Sequence, residues 1–551
     1  MPTSKILLVR CSRLPHFRKA LEQVLEKYPD HEIHVLAKHS LAAECGALPG
    51  VQRVLQYPDR PFSLPGIFAM KSAIRRAFYT LAVVPVSSSA ITEYLNVELA
   101  MLPLRFARIA TFFPSGVWFE RDRAQFRWRD LPRNIFLYHA ERLDTPFLFI
   151  LLLAAQLLRP VRWFKERWPR SSVEPAVRRK VMHCIPSLGM GGAQRQMLKV
   201  IEAMGARHDV SLCVLTDNDF FFRNLSDKAG VKTYVLNSGT GSYALSVVRL
   251  YRLLRREHID VLQMWLPMAN VIGAIAGNLA GTPRIIASER CLTSSKQIWY
   301  PQWWFRWVDA LAARLCTSVT ANSHAVLDDY VKWTRLKHKR LAVVHNGVDA
   351  GEFTCLDATA KELLRSQLGL KTGEAVVGII GRLEAEKDHP TFLRAIQLLS
   401  RGSVRVRALI IGGGSQSENL QAMAADMGLS DKVLFLGNRP DATSLMQICD
   451  AVVLTSRTEG MPNVLLEAQL LGVPVITTDA GGCREVVSHG HTGYVVPIGD
   501  DGLIATYIET LLTARTTAET FSEKGKIKMR KEFNLERTVF GFESLYLKSP
   551  Q

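Results

Sequence analysis

Thr455–Gly482 reads TSRTEGMPNVLLEAQLLGVPVITTDAGG. It runs through a strand end, a loop, a helix, a second strand and a glycine turn. Pro462 suits the first helical position, where a missing N–H costs no hydrogen bond, and Gly472 suits the residue that ends a helix. Glu459 is thereby placed in the loop and Glu467 inside the helix, with the backbone N–H groups of Gly460, Met461 and Asn463 open at the helix N-terminus. Three readings of the two carboxylates stand open: an acid/base pair, a metal site, or two glutamates of a charged surface helix.

The same strand-then-helix alternation extends outward in both directions. VVGIIG, RALIIGGG, KVLFLG, AVVLTS and PVITTD are short apolar runs, each followed by a helical segment, and a closing helix is expected near 538–547. Upstream, KVMHCIPSL, SLCVLT, KTYVLN, DVLQMW, RIIASE and SVTANS repeat the pattern. The N-terminal stretch does so again with KILLVR, EIHVLAK and TLAVVPVSSS around FRKALEQVLEKY, whose Phe17, Leu21, Val24 and Leu25 share one face. Such arrays predict α/β domains with parallel sheets, and 551 residues exceed what one core holds. The expected organisation is an α/β domain over 1–145, a linker over 146–177, a second α/β domain over 178–345 and a third over 346–551.

A formal charge of +18 favours an anionic partner: nucleic acid, an acidic membrane surface or a phosphorylated small molecule. The nine cysteines form no CxxC and no His/Cys cluster, which argues against a disulfide framework or a zinc ribbon. Reduced thiols in a cytoplasmic protein are the simplest reading. Residues 146–158 are almost wholly apolar and are followed by a flank rich in Arg and Trp. That run is shorter than the ~20 residues a spanning helix needs, leaving a core helix or an interfacial segment on the inner face of the cytoplasmic membrane.

Chemistry is concentrated where strands end. GMGGAQ brings Gly189, Gly191 and Gly192 to a helix start, where backbone N–H groups can meet an anion; a tight turn explains the glycines equally well. In GRLEAEKD, Arg382 and Lys387 could clamp a diphosphate, or Glu384, Glu386 and Asp388 could neutralise both cations locally. IIGGGS repeats the glycine transition at Gly412, Gly413 and Gly414.

Taken in order, GMGGAQ, NSHAV, HNGVD, GRLEAEKD, IIGGGS, FLGNRPD, the 455–482 segment, EVV and TGYVV resemble the retaining glycosyltransferases of family 4, over about 178–545. The resemblance implies a GT-B fold of two Rossmann-like domains. It also implies that Arg382 and Lys387 bind the donor diphosphate and that Glu459 contacts the donor sugar beside Gly460, Met461, Pro462 and Asn463. Glu467 would accept the ribose hydroxyls, Gly191 and Gly192 would give backbone donors from the opposite domain, and Gly412 and Gly413 would line the donor site. A nucleotide-sugar donor and a polysaccharide, lipopolysaccharide or lipid-linked acceptor follow, with no cofactor and no metal; no DxD-like acidic cluster is present. Two departures stand out: Gln263, Met264 and Trp265 occupy the strand end where relatives often carry a sugar-reaching His, and Gln194 replaces a common Glu.

The N-terminal segment resembles, more weakly, one Rossmann half of the heptosyltransferase-like family 9 enzymes, through KILLVRCSRLPHF and LPGVQRVLQYP. With only one half present, an acceptor-docking or structural role is expected. The other classes are a GT-B epimerase or phosphorylase, a nucleic-acid binder suggested by KWTRLKHKR, and a silent scaffold. No RNA- or DNA-binding pattern accompanies the basic run, so nucleic acid is not an expected partner.

Overall fold

The computed structural model describes residues 5–9, 14–38, 41–57, 79–85, 106–112, 118–122, 178–189, 191–216, 230–237, 243–299, 304–336, 340–353, 355–402 and 404–547. The chain divides into two compact units, Met1–Phe147 with Asn237–Tyr243, and Leu148–Leu236 with Ala244–Gln551.

In the first unit, β1 (Lys5–Val9), β2 (Glu32–Lys38), β3 (Val51–Tyr57), β4 (Tyr79–Pro85), β5 (Phe106–Phe112) and β6 (Trp118–Asp122) form a sheet in the order β3-β2-β1-β4-β5-β6. The helix Leu14–Lys27 lays Phe17, Leu21 and Val24 against Ile6, Leu8, Val35 and Val83. The expectation of a parallel sheet holds except at the edge, where β6 runs antiparallel to β5. Five residues separate these two strands, too few for the crossover that a parallel neighbour requires.

The second unit carries two larger α/β arrays. One sheet contains β7 (Lys180–Ile185), β8 (Asp209–Thr216), β9 (Lys232–Asn237), β10 (Val261–Trp265), β11 (Arg284–Glu289), β12 (Ser318–Ala321) and β13 (Leu341–Val343), in the order β13-β12-β11-β10-β7-β8-β9. The other contains β14 (Ala375–Ile380), β15 (Val406–Ile411), β16 (Val433–Gly437), β17 (Ala451–Leu454), β18 (Val475–Thr478) and β19 (Gly493–Val496), in the order β16-β15-β14-β17-β18-β19. Every residue of β10, β11, β17 and β18 is buried, as expected of parallel strands covered on both faces. Strand order reverses between β7 and β10 in the first of these sheets, and between β14 and β17 in the second. Each reversal opens a crevice beyond the carboxyl ends of the strands.

The closing helix, Leu535–Leu547, returns from the last array to the earlier one. Its Val539, Phe542 and Tyr546 are buried with Met197, Val200 and Trp265 against β7 and β10. Tyr546 donates its hydroxyl to Gln263 Oε1 at 2.5 Å. Gln263, Met264 and Trp265 are all fully buried, so the strand end that departs from the family pattern sends none of these side chains into the crevice. The next residue, Leu266, has φ 75° and ψ 155°, a strained conformation for a residue with a Cβ.

A buried charge cluster braces the outer part of the same array. Lys296 Nζ lies 2.7 Å from Glu289 Oε2 and 2.7 Å from Asp309 Oδ2, and all three are shielded from water. Asn270 donates to Glu289, while Trp333 and Tyr330 donate to Asp309. Burial opposes the Lys296 charge, but Asp309 and Glu289 outweigh it and hold its pKa above the usual lysine value. Nothing in the local sequence TSSKQ marks Lys296 as an internal charge.

No helix among the described residues is long and apolar enough to cross a membrane. The apolar and basic segment over 146–177 lies outside the described residues.

Candidate active site

The donor-side crevice is built where β14 and β17 part. After β14 the chain turns through a short 3-10 segment, Ala385–Lys387, and Asp388 adopts a left-handed φ of 49° before the helix His389–Leu399. Thr455, at the end of β17, donates its hydroxyl to the carbonyls of Lys387 and Asp388 at 2.9 Å each. These bonds fix the Lys387 turn beside the β17 loop. Lys387 Nζ consequently meets Glu459 Oε1 at 2.6 Å, and Ser456 donates to the same oxygen at 2.6 Å. The ion pair is largely buried, with side chains 19% and 10% exposed.

Arg382 behaves differently. Its guanidinium is half exposed and pairs with Glu386 at 2.7 Å, so local neutralisation is realised for this cation and not for Lys387. Glu384 accepts from Ser415, and Asp388 pairs with Arg457. His389 is buried, and neither ring nitrogen has a hydrogen-bond partner among the described residues. Burial, then the nearby Lys387 charge, pushes its pKa down to about 4, which keeps the ring neutral.

The helix after the β17 loop spans Asn463–Leu471. Pro462 caps it at φ −79° and ψ 111° and is not its first residue: its ψ is extended, so the helix begins one residue later than the sequence suggested. Gly472 ends the helix at φ 77°, in the left-handed conformation expected of it. Glu467 is buried within this helix and takes a hydrogen bond from Arg195 Nη1 at 3.2 Å. Arg195 comes from the helix Gly192–Met204 that follows the glycine loop of the other array. Asn463 joins the two arrays a second time. It donates to Gly192 O at 3.1 Å and accepts from Asn346 Nδ2 at 2.7 Å. Asn346 in turn accepts from Arg290, whose guanidinium is buried 4.1 Å over the Trp265 ring.

Glycines make this seam possible. A Cβ on Gly192 would approach Asn463 Nδ2 to 3.2 Å, and one on Gly460 would sit 2.2 Å from Arg290 O. On the other side, a Cβ on Gly482 would fall 2.2 Å from Gly460 O. The loop Glu459–Asn463 is therefore held between the chain after β11 and the chain after β18. Gly412 and Gly414 have a comparable explanation: a Cβ there would strike Gly381 O and Leu383 O, and Leu383 N donates to Gly413 O at 2.9 Å. Backbone packing alone accounts for these glycines, whatever else passes nearby.

Sequence reasoning singled out the two glutamates, both cations and the glycine loops, and of these the fold brings Lys387 together with Glu459. It missed Arg195 and Arg290. The only local signal for Arg195 was its place one residue after GGAQ; Asn346 lay inside the HNGVD motif already noted.

Comparison with known proteins agrees with this architecture. Residues 190–352 match the family described as "Glycosyltransferase Family 4" and residues 360–528 match "Glycosyl transferases group 1". A Vi polysaccharide biosynthesis protein, VipC/TviE, of Salmonella typhi is 25% identical over 440 residues, covering 71% of this chain and 75% of that protein. An Escherichia coli UDP-Gal:alpha-D-GlcNAc-diphosphoundecaprenol alpha-1,3-galactosyltransferase is 27% identical over 314 residues, covering 55% and 79%. The crystal structure of Anabaena Alr3699/HepE in complex with UDP-glucose superposes with a TM-score of 0.60 at 24% identity, covering 67% of this chain and 99% of that one.

Two Rossmann-like arrays meeting across a crevice are the GT-B architecture, and the family matches over both arrays make the chain a glycosyltransferase. The two matches together bear out the resemblance to the glycosyltransferases of family 4 over the two arrays of the second unit. The heptosyltransferase-like resemblance of the first unit is not confirmed by these matches.

Proposed function

We propose that the chain transfers a sugar from a nucleoside-diphosphate donor to a growing cell-envelope glycan, with the donor seated at the switch point between β14 and β17. The observation that carries this reading is the Lys387–Glu459 pair. In the free protein Glu459 neutralises a buried ammonium; when the donor enters, its diphosphate takes Lys387 as partner and releases Glu459 toward the sugar. Arg382, half exposed and paired with Glu386 four residues on, swings to the same diphosphate as a planar fork.

Glu467 receives the ribose hydroxyls in place of Arg195, while the N-terminus of Asn463–Leu471 and the backbone of Gly191 and Gly192 add partial positive charge. Met461 and Pro462 shape the wall beside the sugar, and Gly412 and Gly413 line the donor side of the crevice. As the anomeric C–O bond breaks, charge grows on the departing diphosphate. Cations already fixed there favour the transition state over the ground state. The acceptor oxygen attacks the face the leaving group vacates, and its proton passes to the leaving phosphate oxygen, so the sugar keeps its anomeric configuration. This scheme assigns the diphosphate charge to Lys387, Arg382 and helix N-termini, and it calls for no metal.

One of these relatives carries UDP-Gal and a GlcNAc-diphosphoundecaprenol acceptor in its name, and the other is a Vi polysaccharide biosynthesis protein. A UDP-sugar donor and a lipid-linked or polysaccharide acceptor are accordingly the first to try. The basic balance of the chain suits docking at an anionic membrane surface, where such acceptors reside. A panel of nucleotide sugars tested by thermal shift and then by product analysis examines the proposal: a donor that binds the native state raises Tm. If no nucleotide sugar shifts Tm and none is turned over with any glycolipid acceptor, the reading fails.

A further inference from the structure

Beside the donor loop, three side chains that the transfer reaction does not use converge from both arrays. His324 begins the helix that follows β12, and His345 lies just past β13. Glu485 lies in the short helix Cys483–Val486 after β18. One ligand atom from each lies within 4.8 Å of the other two. His345 Nε2 is 3.0 Å from Glu485 Oε2, and the two imidazole rings stand 5.7 Å apart at 67°.

We propose that His324, His345 and Glu485 form a binding site for a borderline divalent transition-metal ion of the Zn²⁺ type, which clasps the two arrays together next to the donor crevice. Two imidazoles and one carboxylate are the donor set that such ions prefer, whereas Mg²⁺ and Ca²⁺ seek oxygen alone. Ligand atoms at about 2.0–2.2 Å from a tetrahedral zinc stand roughly 3.3–3.5 Å from one another. The His345–Glu485 separation is already close to this, and a rotation of the exposed His324 ring supplies the third ligand. The fourth position remains open to water.

The supporting groups are in place. Glu485 accepts from the backbone N–H groups of His324 and Ala325 at 2.9 and 3.0 Å, which orients its carboxylate. Thr538 donates to the His345 carbonyl, and Phe533 packs against the His345 ring at 5.3 Å. Burial would raise the Glu485 pKa, but the hydrogen bonds from His345, Ala325 and His324 outweigh it and hold it below the usual carboxylate range. Such outer contacts fix ligand orientation in metal sites.

The consequence is mechanical. Glu485 rides on the loop whose Gly482 packs onto Gly460, while both histidines belong to the other array. An ion bound here ties the donor loop to the acceptor-side array and slows any separation of the two. Zn²⁺ should therefore stabilise the protein and lower turnover together, as an inhibitory clasp.

The test uses the full chain, stripped with chelator and titrated with Zn²⁺ by calorimetry, with Tm read in parallel. The expected result is one ion per chain and a rise in Tm. His324→Ala and His345→Ala should each weaken binding by about tenfold or more, while leaving Tm without zinc nearly unchanged for the exposed His324. Mg²⁺ should produce neither effect. Absence of saturable stoichiometric binding, binding that survives both histidine substitutions, or an equal response to Mg²⁺ would each overturn the site. Binding is read without any sugar donor, so this outcome is separable from that of the transfer reaction.

Discussion

Lys387 Nζ and Glu459 Oε1 stand 2.6 Å apart although 72 residues of chain separate them. Sequence proximity would have paired Lys387 with Glu384, Glu386 or Asp388. The fold instead gives it the carboxylate of the next strand across the switch point, which couples the diphosphate side of the crevice to the sugar side.

Removing that ammonium tests the coupling. Lys387→Ala should lower kcat/KM by at least about 100-fold, because a developing charge loses a fixed partner. Glu459 would be left largely buried without its cation, so some loss of stability accompanies the change. Steady-state kinetics with urea unfolding separates the two effects, and an unchanged kcat/KM removes Lys387 from the clamp.

Glu467 and Arg195 provide a second test, because the proposal asks Glu467 to exchange Arg195 for the donor ribose. Glu467→Gln should weaken donor binding by about 10–100-fold, the range for hydrogen bonds to a charged group. Arg195→Ala should leave donor affinity the same or tighter, since Arg195 is half exposed and competes for the same oxygen. Calorimetry with the nucleotide alone distinguishes them; equal weakening in both variants shows that the pair, not the free carboxylate, holds the donor.

Lys296→Met should cost roughly 3–5 kcal/mol, because it strands Glu289 and Asp309 in a dry interior. Denaturant titration measures this. A loss under about 1 kcal/mol, the scale of an exposed pair, would show that water reaches the cluster.

Acid should destabilise the protein before its carboxylates titrate. His183 and His389 are buried, which depresses their pKa values to about 3 and about 4 from an ordinary 6.5. A depressed histidine pKa means the unfolded state binds more protons, so stability falls as pH drops through 6.5 and continues to fall until the folded values are reached. Between pH 7 and pH 5 the loss should be about 2 kcal/mol for each histidine. A flat urea midpoint over that interval contradicts the burial of both rings.

Much of the architecture was legible because buried parallel strands leave continuous apolar runs, and glycines at strand ends leave unmistakable turns. Gly472 was readable because its left-handed φ suits a residue without a side chain. Pro462 was misplaced by one residue because proline is compatible with both the cap and the first helical position. Contacts across the seam were not legible. Arg195 and Glu467 are 272 positions apart, and no periodicity relates them. Lys296 was invisible for a related reason: its burial depends on Asp309, supplied by the next helix, and on Glu289 at a strand end. The Gly412–Gly414 run was legible as a glycine turn, but only the structure shows that neighbouring backbone demands it.

The stacking of Gly482 on Gly460, and of Gly460 on the Arg290 carbonyl, bears on redesign. Strand-end loops touch there main chain to main chain, with the Asn322 and Ser323 side chains packed alongside, so a methyl group added to either glycine would wedge the stack apart. Libraries aimed at new donor sugars should hold positions 460 and 482 and the diphosphate cations Arg382 and Lys387 constant, and vary flexible side chains at the rim such as Arg195. Substrate choice can then change without loosening the laminate that keeps Glu459 in place.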